Sequence, residues 1–290
     1  MTLSVGEQPL VLGDNDKSSP WYSTSIRIEV LRNAREILEE YARVPPETVE
    51  THILTLRDKI WDVFPYPCVG RFSFLDFYLH RMPLYSSLVD RLKSPDAKHL
   101  DVACCIGQDI RKLVYDGVPS QNIVGLEIEK GFVDAGYELF RDKQSLQSEF
   151  IVADILDDED GTLEDMVHQF DSAHLGMCLH LWNRDDQTKA LLRVIRLLKA
   201  APGVAILGHT IGHTDGIEVS LGMNGKPSLR HNVQTWGALW ADLSEATGSC
   251  WKVEAEMYDD DSMRDRLGVA KPSWWDSQWR LLAFEVTRKS

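Results

Sequence analysis

Short apolar runs alternate with amphipathic helical stretches from Pro95 onward, and this alternation limits the choice of fold more than any other feature. Repeated strand–helix units predict a doubly wound α/β fold, in which a mostly parallel sheet carries helices on both faces. The predicted strands are 98–103, 122–128, 149–153, 170–178 and 203–210, and the predicted helices are 107–116, 130–142, 161–168 and 184–199.

The last part of the chain extends this sheet. A Gly-rich loop at 212–228 and a helix near 233–246 come before two more predicted strands, near 251–258 and 279–287. A long loop between those strands contains Trp274 and Trp275. Five strands followed by two more make the expected architecture a seven-stranded sheet.

The N-terminal third shows helical spacing and no strand alternation, so residues 1–94 are predicted to form an arm and a helical cap on a domain of residues 95–290. Residues 1–20 mix Gly, Asp, Asn, Ser and Pro and predict a loose arm. Two helices follow, separated by Pro45 and Pro46. Their apolar faces consist of Ile28, Leu31, Leu38 and Tyr41 in the first, and of Val49, Ile53, Leu56, Ile60 and Val63 in the second.

Charge and composition narrow the range of partners. With 31 basic and 45 acidic side chains the formal net charge is −14, which repels nucleic-acid phosphates and anionic membrane surfaces. No apolar stretch approaches the ~20 residues of a membrane-spanning helix. The nine Trp favour an apolar small molecule as ligand. Neither a nucleic-acid nor a membrane partner is expected.

The five cysteines indicate a reducing compartment. Their number is odd and their spacing irregular, and the adjacent Cys104 and Cys105 suit neither a disulfide nor a zinc site. The N-terminal residues do not resemble a signal peptide. The predicted location is therefore the cytoplasm.

The segment from Asp101 to Asp109 follows an apolar strand and opens a helix, as the phosphate- and nucleotide-binding turns of α/β sheets do. It departs from G-x-G-x-x-G, since only Gly107 is glycine and Ala103 and Cys105 occupy the earlier positions. A nicotinamide dinucleotide would need its pyrophosphate against the backbone there, and the two side chains argue against that alternative.

Acidic residues at the next two strand ends support a nucleotide-like ligand. Glu127 closes the second predicted strand, where α/β sites place a carboxylate on ribose hydroxyls. Asp154 and Ile155 follow the third, where a carboxylate can accept from an adenine amino group and a backbone N–H can reach a ring nitrogen.

These motifs resemble class I S-adenosylmethionine-dependent methyltransferases, whose first motif reads roughly D-x-G-x-G-x-G. The resemblance covers about residues 95–290 and implies S-adenosylmethionine as cofactor. It also implies a sheet that ends in an antiparallel hairpin. The residues it assigns to the cofactor are Asp101, Ala103, Cys105 and Gly107 for the methionine part, Glu127 and Ile128 for the ribose, Asp154 and Ile155 for the adenine, and Met177 and Cys178 beside the sulfonium.

A narrower resemblance joins the helical N-terminus, the segment 65–72 (Pro-Tyr-Pro-Cys-Val-Gly-Arg-Phe) and the Asp101–Asp109 turn. Together they are similar to fungal secondary-metabolism methyltransferases of the austinol and andrastin meroterpenoid pathways. That resemblance implies homodimers and O-methylation of the carboxyl group of a farnesylated polyketide acid.

The acceptor site is predicted around the fourth strand end and the cap. His180 is placed to take a proton from a hydroxyl or amine, and a structural histidine is the alternative. Arg71 can dock a carboxylate in bidentate fashion. The other predicted acceptor contacts are Tyr66, Phe72, Trp182, His213, Trp236, Trp274 and Trp275.

A metal site at His209, His213 and Asp215 is the weaker interpretation of the fifth strand end. The spacing H-x-x-x-H on a strand-to-loop segment does not hold both rings on one face as a helix would. No metal is therefore predicted.

Three hypotheses remain open. The first is a methyltransferase acting on a hydrophobic carboxylic acid, which is ionised at neutral pH and needs no base. The second is a phenol, amine or carbon methyltransferase that uses His180. The third is a cofactor-binding partner subunit that has lost catalysis.

Overall fold

The computed structural model describes residues 13–220, 226–259 and 277–290, together with two short paired strands, Ser4–Val5 and Gln8–Pro9. The predicted acceptor contacts Trp274 and Trp275 lie outside the described residues.

One mixed sheet organises the chain and confirms the predicted architecture. In chain order its strands are β1 (His99–Val102), β2 (Ile123–Glu127), β3 (Glu149–Val152), β4 (Ser172–Gly176), β5 (Ala205–His213), β6 (Trp251–Tyr258) and β7 (Trp279–Arg288). Their order across the sheet is β3-β2-β1-β4-β5-β7-β6, and only β7 runs against the other strands. The last two strands form an antiparallel pair, as the family resemblance implies.

The segment predicted as a Gly-rich loop is partly strand. β5 continues to His213, which pairs with Trp279 of β7, so cross-strand pairing extends it beyond the predicted end at residue 210. A small hairpin, Ile217–Val219 with Ser228–Arg230, follows at the carboxyl edge of the sheet. Strand pairing over long sequence distances is not visible in local spacing, which explains the error.

Helices cover both faces of the sheet, close to their predicted positions. In the segment predicted as the helix 161–168 the chain forms a 3₁₀ helix, Gly161–Met166. Asn183 caps one helix by accepting from the Asp186 N–H, and Asn232 and Thr235 form a capping box at another. The helices after β1 are α4 (Gln108–Tyr115), α5 (Lys130–Phe140), α6 (Arg184–Leu197) and α7 (Val233–Thr247).

The N-terminal third is helical, as predicted. It contains α1 (Ile28–Glu36), continued by a π turn to Tyr41, then α2 (Val49–Val63), a single turn at Pro67–Gly70 and α3 (Tyr85–Leu92). Buried residues of α2 share one apolar core with Phe132 and Leu139 of α5. The cap therefore packs directly on the helix that follows β2. The division at residue 95 stays a prediction.

None of the helices within the described residues is both long and apolar enough to cross a membrane.

Candidate active site

A cavity of about 320 Å³ opens at the carboxyl ends of the parallel strands. The turn after β1, the ends of β2 to β5 and the cap segment from Tyr66 to Tyr78 line it. In open α/β sheets ligands bind at this edge, where strand ends and helix N-termini point the same way. The cavity is therefore the candidate active site.

The turn after β1 keeps the backbone of a glycine-rich loop without its glycines. Ala103 has φ 54°, Cys105 has φ 53° and Gly107 has φ 66°. All three are left-handed, a conformation that costs a non-glycine residue about 1–2 kcal/mol. Ala103 and Cys105 also line the cavity. Strain of this kind persists where the surrounding structure enforces it, as it does at ligand sites.

The packing around Gly107 leaves no room for a side chain. A Cβ there would lie 2.6 Å from Nη1 of Arg111 and 2.9 Å from Cε1 of Phe150. Gly107 is not among the residues that line the cavity, and its contact with the cofactor stays a prediction. Gly107 therefore allows the turn to pack closely against Arg111 and Phe150.

Glu127 fastens the turn to the second strand. Its Oε2 accepts from the Cys105 N–H at 2.8 Å, and its Oε1 accepts from the Glu129 N–H at 3.0 Å. The side chain lines the cavity, and its burial raises the pKa of the carboxyl. Each carboxylate oxygen has a second lone pair, so Glu127 can still accept from ligand hydroxyls.

Asp154 and Ile155 line the predicted adenine end of the cavity, and Ile128 lines it beside Glu127. Asp154 accepts from the Leu156 N–H through Oδ1 at 2.8 Å, which fixes the carboxylate at the end of β3. Ile155 is buried, whereas 53% of Ile128 is exposed.

Asp101 has a partner that the sequence did not reveal. It accepts from the Nδ1–H of His174, on the adjacent β4, at 2.8 Å. Both side chains are buried and both line the cavity. Burial alone would lower the pKa of His174, but the charges of Asp101 and Asp109 more than offset it and the pKa is raised.

Met177 and Cys178 line the cavity where β4 ends. Met177 has φ 56°, and its N–H donates to the carbonyl of His209 at 2.8 Å. Burial raises the pKa of the Cys178 thiol to about 12. Cys178 is therefore a neutral apolar contact at physiological pH and no nucleophile.

His180 lines the cavity, but its surroundings do not favour a base. Its backbone N–H donates to Thr210 Oγ1 at 3.0 Å, and its Nδ1 lies 3.2 Å from the same oxygen. Burial, Arg230 and His209 lower the pKa of His180 well below its usual value. The buried hydroxyl of Thr210 can donate its one proton to Nδ1, which leaves the ring proton on Nε2. In that tautomer His180 offers the cavity a donor.

The predicted acceptor contacts divide into two groups. Tyr66, Arg71 and Trp182 line the cavity. The structure does not bring Phe72, His213 and Trp236 to the cavity, because those side chains are buried elsewhere. Phe72 packs under the guanidinium of Arg57, Nδ1 of His213 accepts from the Asp215 N–H, and Trp236 lies in the core against Trp240 and Phe284.

Several cavity residues were missed by the sequence analysis. Tyr78 packs against His209 with ring centroids 4.2 Å apart and the ring planes tilted by 41°. Arg230 is buried, donates to the carbonyl of His180 and lies over the Trp279 ring. The histidines inside apolar strands are unusual and are the only local sequence signal for this group. Tyr78 and Arg230 have no such signal, because strand pairing and the small hairpin bring them to the cavity.

Across the described part of the chain, no three His, Cys, Asp or Glu side chains gather in a group that could hold a metal ion. His209 turns towards His174, and His213 towards Asp215.

Two family models match the chain. Residues 21–75 match the meroterpenoid methyltransferase N-terminal domain, and residues 100–201 match a methyltransferase domain. The two matches cover α1, α2 and the single turn at Pro67–Gly70 of the cap, and the strands from β1 to β4.

Curated relatives extend over nearly the whole chain. It is similar to the O-methyltransferase phiE of a fungal species, with 38% identity, covering 90% of each chain. The O-methyltransferase atr3 of Stereocaulon alpinum is also 38% identical, over 94% of this chain and 77% of that protein. The asnovolin E/chermesin D methyltransferase nvfJ of Aspergillus novofumigatus is 33% identical over 88% of each.

A solved structure shares the fold. Phosphoethanolamine N-methyltransferase 2 of Haemonchus contortus, in complex with phosphomonomethylethanolamine and S-adenosylhomocysteine, superimposes with a TM-score of 0.51 at 15% identity. The match covers 81% of this chain and 61% of that one.

Proposed function

Because this chain belongs to the meroterpenoid methyltransferase family of S-adenosylmethionine-dependent enzymes, we propose that it methylates the carboxyl oxygen of a hydrophobic polyketide–terpenoid acid. S-adenosylmethionine is the methyl donor, and it supplies an activated methyl group on a sulfonium. The residues of the chain hold the donor, align the acceptor and exclude water.

We assign the donor to the ends of the first four strands. The left-handed turn, the two acidic strand ends and the cavity between them support this assignment. Asp101, Ala103 and Cys105 surround the methionine part, Glu127 and Ile128 the ribose, Asp154 and Ile155 the adenine, and Met177 and Cys178 the sulfonium.

The proposal for the acceptor rests on Arg71, a cation on an otherwise apolar part of the cavity surface. Arg71 lines the cavity beside Trp21, Tyr66 and Phe74, and burial lowers the pKa of its guanidinium. A partly desolvated guanidinium favours a planar anion that it can bind through two hydrogen bonds. A carboxylate on a hydrophobic scaffold meets both requirements.

No general base is required for this acceptor. A carboxyl group titrates near ~4 and is ionised at neutral pH, so positioning is sufficient. The low pKa of His180 is compatible with that, because an imidazole so poor at holding a proton is a weak base for a phenol.

Methyl-deuterated S-adenosylmethionine and a matched pair of acceptors test the proposal. One acceptor is a farnesylated dihydroxybenzoic acid, and the other is the farnesylated resorcinol that lacks the carboxyl group. We expect a labelled methyl ester from the acid, which mild alkali hydrolyses, and no product from the resorcinol. An alkali-stable aryl ether from either acceptor would contradict the proposal.

Single substitutions connect that reaction to the residues. Arg71→Lys should raise the KM for the acid about tenfold, since Lys cannot bind in bidentate fashion. Lys226→Gln is the control, because Lys226 is exposed at the cavity rim and already pairs with Asp186. His180→Ala should keep most of the rate with the acid.

The inactive-subunit hypothesis makes a different prediction. It requires donor binding without turnover on any acceptor. The left-handed turn and the lined cavity favour an intact enzyme instead. Titration calorimetry with S-adenosylmethionine, followed by the acceptor assay, separates these two hypotheses.

We also propose a homodimer in the cytoplasm, in line with the resemblance. Light scattering should then give twice the 33.0 kDa of one chain.

A further inference from the structure

Arg57 of α2 is a buried cation that contacts both chain neighbours of Arg71. The residue is 3% exposed and is not among the described residues that line the cavity. Its Nη1 donates to the carbonyl of Gly70 at 3.1 Å, and the centre of its guanidinium lies 4.5 Å from the centroid of the Phe72 ring. Arg57 therefore holds the residue before Arg71 and the residue after it, from outside the candidate active site.

The peptide before Arg71 is also held by the N-terminal part of the chain. The Ser23 N–H donates to the carbonyl of Gly70 at 2.9 Å, and Nη1 of Arg57 donates to the carbonyl of Ser23 at 2.6 Å. A Cβ added to Gly70 would lie 2.3 Å from the carbonyl oxygen of Trp21. One guanidinium thus connects α2, the N-terminal segment and the turn that carries Arg71.

Phe72 adopts a backbone conformation that residues with a Cβ disfavour. Its φ is 63°, in the left-handed region, and its ring is 1% exposed where it packs against Arg57. Contact between a cation and an aromatic ring is attractive, and it is stronger when both are buried. A strained residue persists where its surroundings enforce one conformation, as they do at ligand sites. The contact with Arg57 therefore fixes the backbone on the other side of Arg71.

Asp58 sets the direction of the Arg57 side chain. Its Oδ1 accepts from Nε of Arg57 at 2.8 Å and from the Tyr22 hydroxyl at 2.8 Å. Because a guanidinium is planar, fixing Nε also fixes the direction of Nη1, which donates to two backbone carbonyls. A lysine ammonium has a single nitrogen on a flexible chain and cannot make the same set of contacts.

We propose that Arg57 is a positioning residue for the acceptor, which holds the turn 70–72 so that Arg71 presents its guanidinium to the carboxylate. This inference rests on the proposed function, since it explains how the residue assigned to the carboxylate is kept in place. Bidentate binding needs a guanidinium in a defined position, and a fixed backbone lowers the entropy cost of reaching it. Arg57 thus contributes to acceptor binding without touching the acceptor.

Two substitutions loosen the turn without changing a residue that lines the cavity. Arg57→Lys keeps the charge and removes the fork of hydrogen bonds. Phe72→Leu keeps an apolar side chain and removes the ring that packs against the guanidinium. Arg35→Lys is the matched control: Arg35 is another arginine of the cap that donates to a carboxylate, of Glu39, and to a backbone carbonyl, of Pro46.

Titration calorimetry with the farnesylated dihydroxybenzoic acid, at saturating S-adenosylhomocysteine, measures the effect without requiring turnover. We expect the Kd for the acid to rise about tenfold in Arg57→Lys and at least fivefold in Phe72→Leu, and to stay within twofold in Arg35→Lys. The Kd for S-adenosylhomocysteine should stay within threefold throughout, because the donor is assigned to the strand ends. That value also shows that the variants are folded.

A double-mutant cycle separates positioning from a general structural role. If Arg57 acts through Arg71, the Kd for the acid in Arg57→Lys combined with Arg71→Lys should lie within threefold of the larger single effect. Two independent effects of about tenfold would multiply to about a hundredfold. If Arg57→Lys does not fold, the same cycle is measured with Phe72→Leu.

Three results would overturn the inference. One is a Kd for the acid within threefold of wild type in folded Arg57→Lys or Phe72→Leu. Another is a double variant whose loss equals the product of the single losses. The third is a change confined to kcat. If the wild-type protein binds the acid but forms no ester, the proposed function fails, while the cycle still decides whether Arg57 acts through Arg71.

Discussion

Arg111 and Asp142 form a buried two-point ion pair that holds the turn after β1 in place. Nε and Nη2 of Arg111 donate to the two carboxylate oxygens at 2.8 and 3.0 Å, and Nη1 donates to the carbonyl of Ile106 at 2.7 Å. The Tyr41 hydroxyl donates to the same carboxylate at 2.8 Å. One guanidinium thus connects the turn after β1, the end of α5 and the helical cap.

Asp142→Asn should destabilise the protein strongly. Neither residue is more than 3% exposed at its side chain, and removing one partner of a buried pair costs about 3–5 kcal/mol. Urea unfolding measures the change. Asp134→Asn is the control, because its pair with Lys130 is exposed and contributes below about 1 kcal/mol. An equal loss of unfolding free energy in the two variants would contradict the proposed role of Arg111 in holding the turn.

The turn predicts opposite effects for two small substitutions. Cys105→Gly should stabilise the turn by about 1 kcal/mol, since glycine adopts a positive φ without strain. Gly107→Ala should destabilise it, because the new Cβ would meet Arg111 and Phe150 as well as an unfavourable φ. Thermal melting, with and without S-adenosylhomocysteine, checks both. A stable Gly107→Ala variant with wild-type donor affinity would disprove this account.

Glu127→Gln should weaken donor binding more than its small change in shape implies. An amide NH₂ cannot accept, so one of the backbone donors of Cys105 and Glu129 loses its partner. We expect the Kd for S-adenosylmethionine to rise about ten- to a hundredfold, as for hydrogen bonds to a charged group. Glu129→Gln, which does not line the cavity, should stay near wild type.

Asp76 should make stability depend on pH. Burial raises its pKa to about 6, although Arg81, Arg27 and Arg71 oppose the rise. An unfolded Asp titrates near ~4, so between these values the folded state binds more protons and stability falls as pH rises. About two pKa units correspond to on the order of 3 kcal/mol.

Asp76→Asn cannot ionise, and its stability should fall less between pH 4 and 7. Urea titrations at several pH values measure the slope. Asp90→Asn, at an exposed position, should keep the wild-type slope. If the free energy of unfolding of Asp76→Asn depended on pH as it does in the wild type, the surrounding arginines would already offset the effect of burial on the pKa of Asp76, which would contradict this prediction.

The sheet could be predicted because each parallel strand is a short apolar run between amphipathic helices. The acidic strand ends Glu127 and Asp154 could be placed from strand order alone. The Asp101–His174 pair could not, since it depends on the contact of two strands 73 residues apart in sequence. The core position of Trp236 could not be predicted either, because aromatic composition does not reveal which face of α7 packs on the sheet. The turn geometry could not be predicted either, because Ala103 and Cys105 adopt a positive φ that residues with a Cβ disfavour.

The two matched family segments, 21–75 and 100–201, share one continuous core, in which Ile53 and Ile60 of the cap meet Phe132 and Leu139 of α5. Because α2 and α5 pack against each other in this core, we expect a change on one of these two surfaces to need a compensating change on the other. Exchanging the N-terminal segment between relatives should therefore succeed only when α5 is exchanged with it, and we expect cap and sheet to have diverged as a single inherited unit.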